Sequence, residues 1–150
     1  MIAATTYDWP RLVFNSHYEA LVAIQEAMRN EDYDEAWLGL EELTDAVSQI
    51  SKKAVKSHLI RLMAHVLKWK AQPTHRSKSW MFTIWHSRDE IRDCQEETPR
   101  VTDETIHEIW KACFAKAKVW AERETEVSLA INSLTWQEVF DDEYELEPNS

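Results

Sequence analysis

Apolar residues recur along this chain at steps of three and four, the period of an amphipathic helix, and the pattern resolves into five main helices and a short sixth. Asp8 suits an N-cap and Pro10 a first turn, so the first helix is predicted from Trp9 to about Arg29. Phe14, Tyr18, Leu21, Ile24 and Met28 would form its buried face. The acidic turn 30–34 interrupts it. A second helix is predicted from Glu35, with Ala36, Leu40, Leu43, Val47 and Ile50 as a heptad-like inner stripe. The third is predicted from about Lys53 to Lys70, with Val55, Leu59, Leu62, Met63, Val66 and Leu67 inward. Gln72-Pro73 ends it, because the residue before a proline is pushed out of the α region.

The fourth helix is predicted over about Trp80 to Gln95, N-capped by Ser79, with Trp80, Ile84, Ile91 and Cys94 in line. The fifth follows from about Asp103 to Val127, with Ile106, Trp110, Cys113, Ala117 and Trp120 on one side. Thr135-Trp136-Gln137-Glu138 has the capping-box pattern and predicts the last short helix. The fold class is therefore all-α, a single-domain helical bundle over 1–150, with 1–7 and 143–150 as flexible ends. One glycine and four prolines leave little room for hairpins or long loops, which agrees with short-linked helices.

The third and fourth helices carry a specific run of residue types. Leu62, His65, Leu67-Lys68-Trp69, Gln72-Pro73, Arg76-Ser77, Ser79-Trp80, Thr83-Ile84 and Arg88 follow one another at fixed spacing. This run resembles the signature of the bacterial Domain of Unknown Function family numbered twenty-nine. Glu41-Glu42-Leu43 resembles that family's preceding acidic helix, and the segment from Trp136 to Asp141 its C-terminal element, so the likeness covers about residues 17–145. The family pattern has a glycine between its second and third helices, where this chain has Ala46-Val47-Ser48-Gln49-Ile50. The resemblance implies an all-α fold and no established activity.

Charge is distributed unevenly. No acidic residue occurs from Ala46 to Arg88, where nine lysines and arginines give +9; the formal total of −10 leaves −19 elsewhere. Pairing of this basic stretch with acidic second and fifth helices would explain it blandly, each exposed pair adding a few tenths of a kcal/mol. Arg76 and Lys78 stand just before the predicted N-terminus of the fourth helix, where the dipole disfavours cations. With Ser77, Ser79 and free backbone N–H groups they outline an anion pocket. Trp69 and Trp80 bracket this loop as a base-stacking protein would require, whereas Trp37, Trp110 and Trp120 occupy core-like positions. Arg61, His65 and Lys68 share one face of the third helix, and a nucleolytic reading makes His65 a general acid–base. A hydrogen-bonded structural histidine is the plainer reading. The candidate anion or ligand site is thus Arg61, His65, Lys68, Trp69, Arg76, Ser77, Lys78, Ser79, Trp80 and Arg88.

Other chemistry finds no support. A single glycine excludes the P-loop and dinucleotide fingerprints. The one Glu-x-x-His, Glu104 to His107, lacks the second copy a di-iron bundle needs, so no metal and no cofactor is expected. His86 with Asp89 and Glu90 reads as a solvated, salt-linked cluster. Cys94 and Cys113 read as reduced thiols. The N-terminus lacks a signal-peptide pattern, and no apolar run approaches the roughly 20 residues of a membrane span, so a cytoplasmic location is expected. The acidic tail 141–145 reads as a solvated end, as a mimic of nucleic acid toward a basic partner, or as a cover for the basic strip in cis. No catalytic residue is assigned. The expected function is protein interaction, as a small acidic, regulatory or antitoxin-like module with a protein partner. The alternative is RNA or phosphate binding, with hydrolysis as an option, through residues 61–88.

Overall fold

The computed structural model describes residues 7–148. It is all-α: five α-helices, with no strand among the described residues. Contacts cluster into two compact units, Met1–Ile50 and Ser51–Ser150.

In the first unit, α1 spans Trp9–Asn15 and α2 spans His17–Arg29, so the predicted first helix is broken. Asp8 caps α1 as expected, its carboxylate accepting from Arg11 N at 3.3 Å. The break falls at Ser16, whose extended backbone ends α1 and whose Oγ accepts from Glu19 N at 3.1 Å to start α2. Ser16-x-x-Glu19 is a capping signal within an otherwise continuous apolar period. α3 spans Tyr33–Ala71, joining the predicted second and third helices. Nothing between Ala46 and Lys53 breaks a helix: the segment holds neither glycine nor proline. Asp34 and Glu35 at its start and Lys68 and Lys70 at its end both complement the helix dipole.

The first unit's core is thin. Trp9, Val13, Ala20, Ile24, Ala27, Ala36 and Leu43 are buried. Trp9 donates from Nε1 to Glu35 Oε2 at 2.8 Å. Gly39 permits the close approach of helices here, since a Cβ would stand 2.7 Å from both Ile24 Cγ1 and the Trp9 ring.

The second unit holds the larger core. From α3, Val55, Leu59, Leu62, Met63, Val66 and Leu67 are all buried, as their period predicts. They meet Ile84 and Ile91 of α4, which spans Lys78–Glu97, and Ile106, Cys113 and Ala117 of α5, which spans Asp103–Thr125. Each large side chain buried there contributes about 1.5–3 kcal/mol. The N-cap of α4 is Ser77, not Ser79: its Oγ accepts from Trp80 N at 3.2 Å. α5 stops where Glu126 turns into the left-handed region at φ 58°. Thr135 and Glu138 form the predicted reciprocal capping pair, Thr135 N to Glu138 Oε1 at 2.9 Å and Glu138 N to Thr135 Oγ1 at 3.1 Å. They open a single wide π-type turn over Gln137–Asp141 in place of an α-helix.

Of the ends predicted to be flexible, residues 1–6 and 149–150 lie outside the described residues. Tyr144 is buried: it meets Trp69 edge-on at 5.8 Å and donates its hydroxyl to the Glu138 carbonyl at 2.5 Å. Among the described residues no helix is long and apolar enough to cross a membrane.

Candidate functional site

The basic segment is held largely by groups of its own chain. Lys68 is only 5% exposed; its ammonium sits 2.6 Å from Glu124 of α5 and 5.0 Å from the centre of the Trp80 ring. Lys70 pairs with Glu138. Arg76 donates from Nε to the Trp69 carbonyl at 2.9 Å and lays its guanidinium over the Trp69 ring at 5.0 Å, closing the C-terminal end of α3. Arg88 donates from Nε to the Val139 carbonyl at 2.8 Å and faces the Tyr144 ring, and burial pushes its pKa down. The tail therefore covers part of the basic strip in cis, one of the three readings its charge allows.

This arrangement fills the anticipated anion pocket. A cavity of about 340 Å³ beside Trp69, Lys70 and Arg76 is also lined by Glu138, Asp142 and Glu143. Its cations already face carboxylates of the tail. Ser77 is occupied in capping, and the Ser79 carbonyl accepts from Thr83 Oγ1 at 2.9 Å. Trp69 is buried and Trp80 half-buried over Lys68, so neither offers a face for stacking. Lys78 is exposed in the first turn of α4.

Arg61 and His65 are placed differently. They stand one turn apart on α3 and line an open groove of about 500 Å³ with Phe82, Thr83 and His86 of α4. His65 Nδ1 is 2.8 Å from the Arg61 carbonyl, which can only accept, so that nitrogen carries the proton and Nε2 the lone pair. Burial lowers the His65 pKa, which keeps the ring neutral at pH 7. The Arg61 side chain is exposed and has no carboxylate partner among the described residues. At one end of the set, His58 and His86 each approach Glu90 at 3.8 Å. Phe82 carries no signal in the sequence, Thr83 stands there only in the family run, and His86 only in a salt-linked cluster with Asp89 and Glu90. Their i, i+1, i+4 spacing on α4 was legible, but their meeting with Arg61 and His65 was not.

His107, the histidine of the lone Glu-x-x-His, stacks on Trp136 at 4.6 Å. Cys113 is buried and Cys94 half-buried, both as free thiols whose pKa burial raises.

The largest departure from expectation is in the first unit. Of the face predicted to be buried on the first helix, only Ile24 is; Phe14 is 89% exposed, and Tyr18, Leu21 and Met28 are exposed too. α2 instead packs through Ala20, Ile24 and Ala27 and turns Tyr18, Leu21, Val22 and Met28 the other way. On α3, Ala36 and Leu43 are buried, but Leu40, Val47 and Ile50 are exposed. Trp37 is 62% exposed and Trp120 is exposed as well, against their core-like spacing. Both helices are apolar on more than one face, and small residues win the interior because they allow the closer approach seen at Gly39.

No curated protein and no solved structure matches this chain. The groove and the Arg88–tail contact fall inside the stretch covered by a family model, residues 18–145, and the chain belongs to the family described as Domain of unknown function DUF29.

Proposed function

We propose that this protein is a small acidic protein-interaction module of a regulatory, antitoxin-like kind, docking through the exposed apolar surface of its first unit onto a basic partner. One observation carries the reading. Among the described residues, eleven of the sixteen large hydrophobic side chains left exposed fall within the first 50 residues, far more than single scattered exposures would give.

Their order supports a helical docking mode. Tyr33, Trp37, Leu40, Thr44 and Val47 follow alternating steps of four and three along α3, the spacing of a seam that receives a second helix. Trp37 and Tyr18 are the aromatic types that anchor interfaces. The surrounding charge selects the partner. The first unit has ten carboxylates against Arg11 and Arg29, a formal −8, so a basic amphipathic surface would be steered to it. Two free thiols suit a reducing compartment such as the cytoplasm of a bacterial host.

The test is a pull-down from host lysate using wild type and the Tyr18→Lys/Trp37→Lys variant, alongside sedimentation of the purified chain. A basic protein retained by wild type and lost with the variant is the expected result. Equal retention by both, or a self-associating chain that retains nothing, overturns the reading. Both side chains are exposed, so the variant keeps its helical signal.

A further inference from the structure

We propose that the groove between α3 and α4 binds a nucleotide-like ligand, an aromatic phosphate ester whose anion meets Arg61 and His86 and whose ring lies on Phe82. The site belongs wholly to the second unit and stands independently of the apolar docking surface.

Charge makes the first argument. Lys68, Lys70, Arg76 and Arg88 are each held by a carboxylate or a backbone carbonyl of the chain. Among the described residues the Arg61 side chain has no such partner, and it lines a groove of about 500 Å³, which is the size of small-ligand sites. A guanidinium with its donors unspent matches the oxygens of a phosphate two at a time. His86, exposed on α4 across the groove from Arg61, adds a second imidazole whose ring N–H can donate to an anion.

Preorganisation makes the second. The hydrogen bond from His65 to the Arg61 carbonyl fixes both its tautomer and its ring, leaving Nε2 as an acceptor for a ligand hydroxyl. Thr83 is likewise oriented, its hydroxyl donated to the Ser79 carbonyl at 2.9 Å. The helix period places Arg61 with His65, and Thr83 with His86, so all four rest on packed helices whose inner faces are the buried core.

The aromatic wall makes the third. Phe82 is 58% exposed and is braced edge-on against Trp85 at 5.6 Å. A phenyl ring that lines the same groove as Arg61 offers a planar ring a stacking surface, and the arginine offers its phosphate a counter-charge. Phosphate alone would use only half of this geometry.

Titration of the histidine ring signals by NMR tests the proposal with four probes: adenosine 5′-monophosphate, inorganic phosphate, adenosine and a short single-stranded RNA. Saturable shifts at His65 and His86 are expected with the monophosphate, about tenfold weaker with phosphate or adenosine. RNA binding tighter than the monophosphate identifies a strand as the source, and equal or weaker binding identifies the free nucleotide. Arg61→Met should weaken the monophosphate about tenfold, and Phe82→Leu should do so without changing the response to phosphate. Both side chains are exposed, and unchanged circular dichroism certifies the fold. Absence of saturable shifts with every phosphate-bearing probe overturns the proposal. So does unchanged affinity in Arg61→Met, or phosphate binding as tightly as the monophosphate.

Discussion

Lys68 lies at the centre of the basic strip, and its energetics distinguish a structural cation from a ligand-binding one. Its ammonium is buried, but its carboxylate partner Glu124 is 58% exposed, so the cost of leaving water falls almost entirely on the lysine. Removing Glu124's charge in Glu124→Gln strands a buried ammonium with only a neutral amide and the Trp80 face nearby. A fully buried pair broken in this way costs about 3–5 kcal/mol. Solvent already reaches Glu124 and can relieve part of that, so about 1–3 kcal/mol is expected here. Lys68→Met removes the ammonium while keeping an unbranched stem in the core, and Glu124 simply returns to water. Its cost should stay within about 1 kcal/mol of zero. In the double variant the Glu124→Gln penalty should vanish, because no stranded charge remains. Urea denaturation followed by circular dichroism gives all three values. A Lys68→Met variant that loses as much stability as Glu124→Gln would show that the ammonium itself stabilises the fold, and additivity in the double variant would show that the two side chains are not coupled.

Three further outcomes follow from the packing and the titrating groups. Gly39→Ala gains about 1 kcal/mol of helix propensity but sets a Cβ against the buried Trp9 ring and Ile24, an overpacking cost of about 1–3 kcal/mol. A net loss is expected, visible as faster amide exchange across residues 9–50; unchanged or slower exchange would contradict the close approach. Burial holds the His65 pKa below its unfolded value near 6.5. The unfolded chain therefore takes up the proton first, and the stability held by neutral His65 is lost as pH falls through about 6.5 toward the folded pKa. The urea midpoint should fall more steeply between pH 7.5 and 5 in wild type than in His65→Asn, and equal slopes would contradict it. Burial raises Tyr144 to about 12, so its contribution is present below about pH 10 and is lost as pH rises toward 12. Absorbance titration should show a late phenolate step that Tyr144→Phe abolishes; loss of amplitude only from the ordinary step near pH 10 would mean that the tail is undocked.

Much of the fold was legible from the sequence because helix formation is governed by local period and by local stop signals. The buried line of α3 from Val55 to Leu67, the Asp8 cap, the end before Pro73 and the Thr135–Glu138 pair all follow from neighbours within four residues. Ser16 was equally local, but a continuing apolar period concealed it. The remaining features were set by contacts between residues far apart in the chain. A helix with two apolar faces has one period and two solutions, and the choice between Ala20–Ile24–Ala27 and Tyr18–Leu21–Met28 depends on how closely Trp9 and Gly39 let the neighbours approach. The fate of the basic segment was also non-local. Composition showed +9 between two acidic regions, but Lys68 is matched by a residue 56 positions away and Arg88 by a carbonyl 51 away. Charge attraction has no sequence period, so a count of cations cannot say which is neutralised. Packing distributed the partners, left Arg61 without a carboxylate among the described residues, and set it across a groove from His86 and Phe82.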